Sequence, residues 1–308
     1  MDAVIVDEEI APALAAFPMA TALSVDALAA MRATRGEMFA GVELSDAVER
    51  TEHLVSDDPR VVVRVHRPNG VDGPLPCIYS IHGGGYVLGS YDMDDAKFDR
   101  YCPQFPCVGV SVEYRLAPET PYPGPLDDCY AGLRWTRDHA AELGVDPDRI
   151  GVAGVSAGGG LAAALVLLAR DRGEVRVAFQ LLECPMLDDR QTTSSSRREG
   201  LPIWSRESNT FGWQSYLGDL YGGDVPAYAA PARATDLTGL PPALVIVGGA
   251  DGFRDEDIEY ALRLNQAGVP TELHVLPGAP HGVQFFAGSV IARRWGQTVT
   301  QWLEQQLR

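Results

Sequence analysis

A serine between glycines is the first feature of this sequence that could do chemistry. Residues 154–158 read Gly-Val-Ser-Ala-Gly, follow an apolar run that starts at Ile150, and precede a stretch rich in Ala and Leu. A serine on such a tight strand-to-helix turn is available for nucleophilic attack, and the glycines prevent clashes with the strand and the helix. The helix N-terminus would direct backbone N–H groups toward developing negative charge. We therefore predict that Ser156 is a nucleophile; the alternative is a glycine-rich turn with a serine of no chemical role.

A second glycine-rich segment lies upstream, where residues 82–86 read His-Gly-Gly-Gly-Tyr after the strand-like run 77–81. Three consecutive glycines allow backbone N–H groups to turn toward a bound carbonyl oxygen, which is the arrangement of an oxyanion-hole loop. A flexible loop is the alternative, but the nucleophile motif downstream disfavours it. We interpret His82 as a residue that supports this loop and not as a catalytic base.

A nucleophilic serine requires a base, and the base requires an orienting carboxylate. In this arrangement the chain order is Ser, acid, His, and only His274 and His281 follow Ser156. His274 lies within a strand pattern, whereas His281 lies in the loop after it, so His281 is the predicted base. Asp251 follows another strand-like run and is the predicted acid. Asp255 and Asp257 are the alternative acids, although a role as a helix cap would also explain Asp255.

The elements that must position these residues alternate along the chain. Apolar, β-branched runs of strand length occur at residues 61–65, 77–81, 107–112, 150–155, 177–182, 243–247 and 273–276. Helical patterns fall between several of them, at residues 126–143, 157–170, 255–267 and 290–307. Strands that alternate with helices indicate a mostly parallel sheet that is covered on both faces. The sequence therefore predicts an α/β fold.

Two segments interrupt this alternation. Residues 1–48 are rich in Ala and helical in pattern, and residues 188–235 are first polar and then aromatic. Because so many aromatic side chains are rarely left in solvent, we predict that the two segments meet as a helical cap over a core of residues 49–187 and 236–308. A disordered tail and a plain surface excursion are the alternative. The aromatic residues predicted to contact substrate are Tyr86, Trp204, Phe211 and Trp213.

The composition excludes several classes of partner. The 308 residues include 25 Lys plus Arg and 42 Asp plus Glu, for a net charge of −17, which argues against binding to nucleic acid or to an anionic membrane. The acidic N-terminal residues argue against a secretory signal, and the longest apolar run, residues 158–169, is too short to cross a bilayer. Five cysteines without a Cys-x-x-Cys pair are predicted to be buried free thiols, which favours a cytoplasmic protein.

No pattern predicts a metal ion or a cofactor. The sequence contains neither His-Glu-x-x-His nor a Cys/His cluster with zinc spacing. The single lysine, Lys97, has no glycines around it, which excludes a phosphate-binding loop. Three acidic pairs are interpreted as helix N-terminal charges and solvated faces: Asp94-Asp95, Asp127-Asp128 and Asp188-Asp189.

Five motifs together resemble the hormone-sensitive-lipase-like bacterial esterases (lipolytic family IV), which have the α/β-hydrolase fold. The motifs are residues 82–86, 113–119 (Glu-Tyr-Arg-Leu-Ala-Pro-Glu), 154–159, 251–256 (Asp-Gly-Phe-Arg-Asp-Glu) and 281–282 (His-Gly). The resemblance covers nearly the whole chain from about residue 45. A closer resemblance to one bacterial esterase of this kind is found in three further segments, residues 177–180, 233–242 and 258–264.

The resemblance implies an eight-stranded, mostly parallel sheet flanked by helices, with residues 1–45 and 188–235 as the cap. It also implies a carboxylic-ester hydrolase that acts without a cofactor on soluble short-acyl or aryl esters through an acyl-enzyme. Relatives often pair through an edge strand, so a homodimer through residues 273–276 is a further expectation. The implied site residues are the nucleophile Ser156, the acid Asp251, the base His281, and an oxyanion hole formed by the N–H groups of Gly83, Gly84 and Ala157.

Two positions depart from the family pattern. Val155 stands where the family usually has Asp before the nucleophile, and Gly252 stands where the acid motif usually has Pro. Neither position belongs to the implied triad, so we expect activity to be retained. Two other functions stay open: a ligand-binding module with an idle hydrolase site, and an amidase or other acyl transferase, because ester and amide cleavage use the same groups.

Overall fold

The structure is a computed structural model that describes residues 5–15 and 23–308. One sheet runs through these residues, and its eight strands are β1 Val48–Asp57, β2 Arg60–Pro68, β3 Leu75–Ile81, β4 Val108–Glu113, β5 Val145–Val155, β6 Gln180–Glu183, β7 Ala243–Gly248 and β8 Thr271–Leu276. Their order is β1-β2-β4-β3-β5-β6-β7-β8. β2 is antiparallel to β1 and to β4, and every other pair is parallel. The predicted eight-stranded, mostly parallel sheet is confirmed.

Strand β1 is the element of the sheet for which no strand pattern was found in the sequence. Its residues, Val-Glu-Arg-Thr-Glu-His-Leu-Val-Ser-Asp, are mostly polar and mostly exposed or half-buried. An edge strand has one partner strand and needs no continuous apolar run, because polar side chains there remain in water. The short strand β6 begins at Gln180, three residues later than the apolar run that predicted it.

Helices cover both faces of the sheet. Their bounds are α1 Ala11–Ala15, α2 Val25–Ala40, α3 Asp95–Gln104, α4 Gly124–Asp138, α5 Ala140–Leu143, α6 Ala157–Arg172, α7 Arg206–Leu217, α8 Arg254–Gln266 and α9 Val290–Gln306. The run 157–169 within α6 is buried on all sides, which explains its lack of polar residues. Of the helices in the described parts of the chain, none combines the length and hydrophobicity that a bilayer crossing needs.

The core consists of two clusters, one on each face of the sheet. Alternation along β3 separates them, since Tyr79 and Ile81 belong to one cluster and Ile78 to the other. Helices α4, α6 and α8 pack in the first cluster, whereas α3 and α9 supply Phe98 and Trp302 to the second. Side chains of a strand point alternately to opposite faces, so a parallel sheet covered by helices requires apolar residues at successive positions.

The N-terminal segment and the insertion after β6 meet in the structure. The backbone N–H of Leu23 donates a hydrogen bond to Ser208 Oγ at the start of α7 (3.2 Å). The insertion also contains two short 3₁₀ turns, at Gly218–Leu220 and Pro231–Arg233. Part of the predicted helical segment 1–48, namely residues 1–4 and 16–22, lies outside the described residues.

The interpretation of the acidic pairs holds only in part. Asp95 and Asp127 lie in the first turns of α3 and α4, as predicted, but the other four carboxylates are buried, so the solvated-face interpretation is wrong for them. Asp128 is buried and accepts two hydrogen bonds from the guanidinium of Arg115. Asp94 is also buried and lies 2.6 Å from the ammonium of Lys97. A buried carboxylate is stable only with such partners, and a partner such as Arg115, 13 residues from Asp128, is not evident from the local sequence. Two further ion pairs of this kind join Asp188 to Arg190 and Asp189 to Arg233.

The five cysteines are buried free thiols, as the sequence predicted. Burial raises the pKa of Cys129 and of Cys184 well above the ordinary value for a thiol. A thiol with a raised pKa stays protonated and is a weak nucleophile. The cysteines therefore contribute to packing and not to the chemistry of the site.

Candidate active site

Ser156 occupies the turn between β5 and α6. Its backbone has φ 57° and ψ −122°, a conformation that costs energy for any residue except glycine. Two hydrogen bonds hold it, from the Ser156 N–H to the Glu183 oxygen (2.8 Å) and from the Met186 N–H to the Ser156 oxygen (2.9 Å). A Cβ at Gly154 or at Gly158 would lie 2.1 Å from a backbone oxygen. The turn therefore requires both glycines of the sequence motif.

The three residues predicted as a triad lie in one chain of hydrogen bonds. His281 Nε2 is 3.0 Å from Ser156 Oγ, and His281 Nδ1 is 2.8 Å from Asp251 Oδ2. The other oxygen of Asp251 accepts the N–H of Phe253 (3.0 Å), which fixes the carboxylate. Since a carboxylate accepts the proton of Nδ1, Nε2 is left as the acceptor for the serine hydroxyl. All three residues are buried.

These residues come together because each follows the carboxyl end of a parallel strand. Ser156 directly follows β5, Asp251 follows β7 and His281 follows β8. Ligand and catalytic sites of such sheets lie at this edge, where the strand-to-helix loops converge. One alternative acid, Asp255, lies in the first turn of α8 and accepts the N–H of Ser195 (2.7 Å). The structure thus brings Asp251 and not Asp255 to His281.

The glycine loop, residues 82–89, passes directly over the nucleophile. A Cβ at Gly83 would lie 3.3 Å from Ser156 Cβ, so the loop backbone runs close to the serine. Within the described residues, no group accepts a hydrogen bond from the N–H of Gly83, Gly84 or Ala157. Ala157 is the first residue of α6, where backbone N–H groups lack intrahelical partners. Unpaired donors beside a nucleophile are what an oxyanion requires.

His82 supports this loop, as the sequence indicated. Its ring stacks on the ring of Tyr114, with centroids 4.2 Å apart and an interplanar angle of 13°. Its Nδ1 lies 3.0 Å from the oxygen of Gly83. Gly89 has φ +99°, and a Cβ there would lie 2.5 Å from Nδ1 of His82. The imidazole therefore fills the inside of the loop, which is a structural role and not that of a general base.

A cavity of about 650 Å³ opens onto Ser156 and His281. This volume suits a small organic substrate. Of the four aromatic residues predicted to contact substrate, Trp204 lines the cavity, with its ring centroid 6.4 Å from that of His281. Its indole N–H donates to Asn209 Oδ1 (3.1 Å), which fixes the ring above the site.

The other three aromatic residues do not line this cavity. Tyr86 and Trp213 are buried, and Tyr86 stacks on Tyr216 with centroids 4.0 Å apart. Phe211 packs against the same core cluster. These three rings pack between the insertion and the core and do not face the cavity. We therefore retain Trp204 alone as a proposed substrate contact.

Sequence reasoning missed the far wall of the cavity. This wall comes from α3 and α9 and includes Lys97 and Arg293, and Glu183 lines the cavity at the end of β6. Helix α3 was not predicted, so its lysine could not be placed. Glu183 could have been found, because a polar residue at the carboxyl end of a buried parallel strand lies at the edge that binds ligands.

One group of three residues has the donor types of a metal site among the described residues: Cys184, Asp251 and His281. Two of these are already hydrogen-bonded to each other. Burial raises the pKa of the Cys184 thiol, whereas a metal requires the thiolate. The donor set therefore fits a serine–histidine–aspartate site better than a metal site.

Comparison with known proteins gives four consistent similarities. A family model described as an alpha/beta hydrolase fold matches residues 78–285. The chain is 38% identical over 277 residues to carboxylesterase NlhH of Mycobacterium tuberculosis, covering 88% of this chain and 86% of that protein. A solved structure titled "Bacterial Heroin Esterase" is 44% identical to this chain, with a TM-score of 0.93. The match covers 99% of this chain and 98% of the chain in that structure. An arylesterase of Saccharolobus solfataricus is 33% identical over 263 residues, which cover 79% of this chain and 82% of that protein.

Proposed function

This chain belongs to the hormone-sensitive-lipase-like esterases of the α/β-hydrolase fold and is a carboxylic-ester hydrolase, and we propose that Ser156, His281 and Asp251 are its catalytic triad. The observation that carries the proposal is the hydrogen-bond chain from Asp251 through His281 to Ser156 Oγ. This series of hydrogen bonds ends in a cavity, beside unpaired backbone N–H donors. This is the arrangement of an activated nucleophile.

The reaction proceeds in two halves. His281 Nε2 takes the proton of Ser156 as Oγ attacks the ester carbonyl, and Asp251 stabilises the imidazolium. The new oxyanion accepts hydrogen bonds from Gly83, Gly84 and Ala157. His281 then gives its proton to the departing alcohol, which leaves an acyl-enzyme.

Water completes the cycle. His281 removes a proton from a water molecule as its oxygen attacks the acyl carbonyl, and a second oxyanion forms in the same hole. Collapse of this intermediate releases the carboxylic acid and returns the proton to Ser156. The substrates are small esters, and the cavity of about 650 Å³ supports short-acyl or aryl esters in particular.

The proposal also includes the cap, the oligomeric state and the cellular location of the protein. Residues 188–235 and the described part of residues 1–48, namely 5–15 and 23–48, form a cap over the core 49–187 and 236–308, and the hydrogen bond between Leu23 and Ser208 supports their contact. Edge strand β8 exposes Leu273 and Val275, which supports a homodimer through this edge. Five free thiols support a cytoplasmic location.

The test is hydrolysis of p-nitrophenyl esters from acetyl to dodecanoyl by the wild type and by Ser156→Ala. We expect short esters to be cleaved fastest and the variant to lose about 10⁴–10⁶-fold in kcat. Ser56→Ala on β1 is the control, because Ser56 lies at the edge of the sheet remote from β5. A Ser156→Ala enzyme with near-normal kcat would disprove the assignment of the nucleophile.

A further inference from the structure

Glu183 is a carboxylate beside the nucleophile for which the proposed mechanism has no use. It is the last residue of β6, and its backbone oxygen accepts the N–H of Ser156. The residue is 9% exposed, and it lines the cavity that contains Ser156 and His281. Burial of a charged side chain is costly without partners. The partners of this carboxylate therefore decide what it can do.

Among the described residues, only one oxygen of Glu183 has hydrogen-bond partners. Oε2 accepts hydrogen bonds from the indole N–H of Trp295 (2.5 Å) and from Nε2 of Gln284 (3.3 Å). Oε1 accepts none from any residue that the structure describes, and it is not sealed inside the protein. The two donors fix the position of the carboxylate, and the free oxygen is left for a group inside the cavity.

No protein cation among the described residues forms an ion pair with Glu183. The ammonium of Lys97 also lines the cavity, but it is bound to Asp94 Oδ1 (2.6 Å) and to Ser80 Oγ (2.7 Å). Arg100 lies over the ring of Tyr101 at 4.8 Å and is exposed. The remaining cation of the lining, Arg293, is exposed and donates a hydrogen bond to the backbone oxygen of Gly288. Asp94 is therefore the main partner of Lys97, and the attraction between Lys97 and Glu183 is weaker. Among the described residues, no cation forms a hydrogen bond or ion pair with the free oxygen of Glu183.

We infer that Glu183 recognises a cationic group on the ester, so that the enzyme prefers ammonium-bearing substrates over neutral ones of the same shape. This inference rests on the proposed role of Ser156 as the nucleophile. A carboxylate can only accept hydrogen bonds, and its bonds to a cation in a secluded cavity are stronger than those to a neutral group. Trp204 and Trp295 add aromatic faces to the same lining, which also favour a cation.

The charge of the whole chain acts in the same direction. A net charge of −17 attracts cationic solutes and repels anionic ones. This long-range effect is weakened by salt, because exposed charges are screened over about 10 Å at 0.1 M ionic strength. Recognition by a buried carboxylate is screened much less. A preference that persists in high salt is therefore the contribution of Glu183.

The experiment compares two pairs of esters that have the same shape and differ in charge. Acetates of 2-(dimethylamino)ethanol and 3-methylbutanol place the charge on the alcohol side. The p-nitrophenyl esters of 4-(trimethylammonio)butanoic and 5,5-dimethylhexanoic acid place it on the acyl side. We expect a ratio of kcat/KM, cationic over neutral, of at least about tenfold in one pair at 0.5 M salt, falling to near one in Glu183→Gln.

Glu272→Gln is the matched control, because Glu272 is an exposed carboxylate of edge strand β8 outside the cavity lining. It should keep the wild-type ratio. A wild-type ratio near one in both pairs overturns the inference, and so does a ratio that Glu183→Gln leaves intact. Failure of the wild type to cleave any ester, p-nitrophenyl acetate included, overturns the proposed triad as well.

A second measurement covers the case of a Glu183→Gln chain that does not fold. Competitive inhibition of the wild type by (2-hydroxyethyl)trimethylammonium is compared with inhibition by 3,3-dimethylbutan-1-ol, its neutral analogue. The inference requires the cation to bind at least about tenfold more tightly at 0.5 M salt. Equal inhibition constants overturn it.

Discussion

Arg32 of α2 and Glu119 form a two-point ion pair, with Nη1–Oε1 at 2.7 Å and Nη2–Oε2 at 2.9 Å. The hydrogen bond from Arg32 lowers the pKa of Glu119 to about 2. The same guanidinium donates to the backbone oxygens of Val87 (2.9 Å) and Ala117 (3.0 Å). Val87 belongs to the glycine loop, and its N–H donates to the oxygen of Gly84 (3.1 Å). The N-terminal segment is thereby joined to the loop that holds the proposed oxyanion donors.

We predict that Arg32→Lys lowers kcat by about tenfold with a smaller change in KM. Lysine cannot reproduce the planar fork that binds one carboxylate and two backbone oxygens at once, and small displacements of catalytic groups cost much in rate. Steady-state kinetics on p-nitrophenyl acetate measure the effect.

Glu119→Gln is the companion variant for this prediction. It retains an acceptor for Arg32 and leaves the two bonds to backbone oxygens in place, so it should lose less activity than Arg32→Lys. A thermal melt of both variants separates the two roles of the arginine. An Arg32→Lys protein that melts earlier but keeps its kcat would show that the guanidinium only stabilises the fold.

Gly84 is a position where the backbone leaves no room for a side chain. It has φ +133°, and a Cβ there would lie 2.1 Å from the oxygen of Leu88. We predict that Gly84→Ala displaces a proposed oxyanion donor and lowers kcat by about 10²–10³-fold, or roughly 3 kcal/mol. Binding of a boronic acid, which forms a tetrahedral adduct with the serine, should weaken together with kcat.

Gly70→Ala is the control for backbone strain. Gly70 also has a positive φ, +73°, but no atom in the described part of the chain lies within 4 Å of its Cβ position. It lies between β2 and β3, outside the cavity lining, so its variant should lose stability without losing boronic acid affinity. Equal effects of the two substitutions on kcat would contradict the assignment of Gly84.

Glu113 at the end of β4 should make stability depend on pH. Burial raises its pKa from 4.5 to about 7, against the effect of a hydrogen bond from the N–H of Tyr91. The folded state therefore binds a proton more tightly than the unfolded state. Its contribution to stability is present below pH 4.5 and is lost as the pH rises to about 7.

The expected loss is of the order of 2–3 kcal/mol. Glu113→Gln keeps an acceptor for Tyr91 and removes the titration, so its melting temperature should exceed that of the wild type at pH 8 but not at pH 4.5. Glu43→Gln, at an exposed position, is the control and should show no such crossover. Parallel pH profiles for wild type and Glu113→Gln would show that Glu113 titrates normally.

The sequence predicted the sheet and the three residues of the hydrogen-bond chain because these follow from local patterns. Ser156, Asp251 and His281 each follow a strand-like run, and the edge at which parallel strands end is common to all of them. β1 was missed for a local reason too, since a half-exposed edge strand carries no apolar run.

The cavity wall could not be predicted in the same way. It joins α3 to α9, two helices far apart in the chain that meet through packing on one face of the sheet. Nor does the residue type show which way an aromatic ring points. Trp204 lines the cavity, whereas Trp213, from the same insertion, fills the core. Both outcomes bury the same apolar area, so composition does not distinguish them.

The location of Lys97, the single lysine, has a practical consequence for chemical labelling. Burial alone would lower the pKa of Lys97, but the attraction and the hydrogen bond of Asp94, together with the weaker attraction of Glu183, outweigh it and raise the pKa. Amine-selective reagents would find no other lysine side chain, and this one is protonated and lies in the wall of the substrate cavity. Attachment to a solid support is therefore better directed to exposed carboxylates outside the cavity, such as Glu43, which leaves the cavity cation untouched.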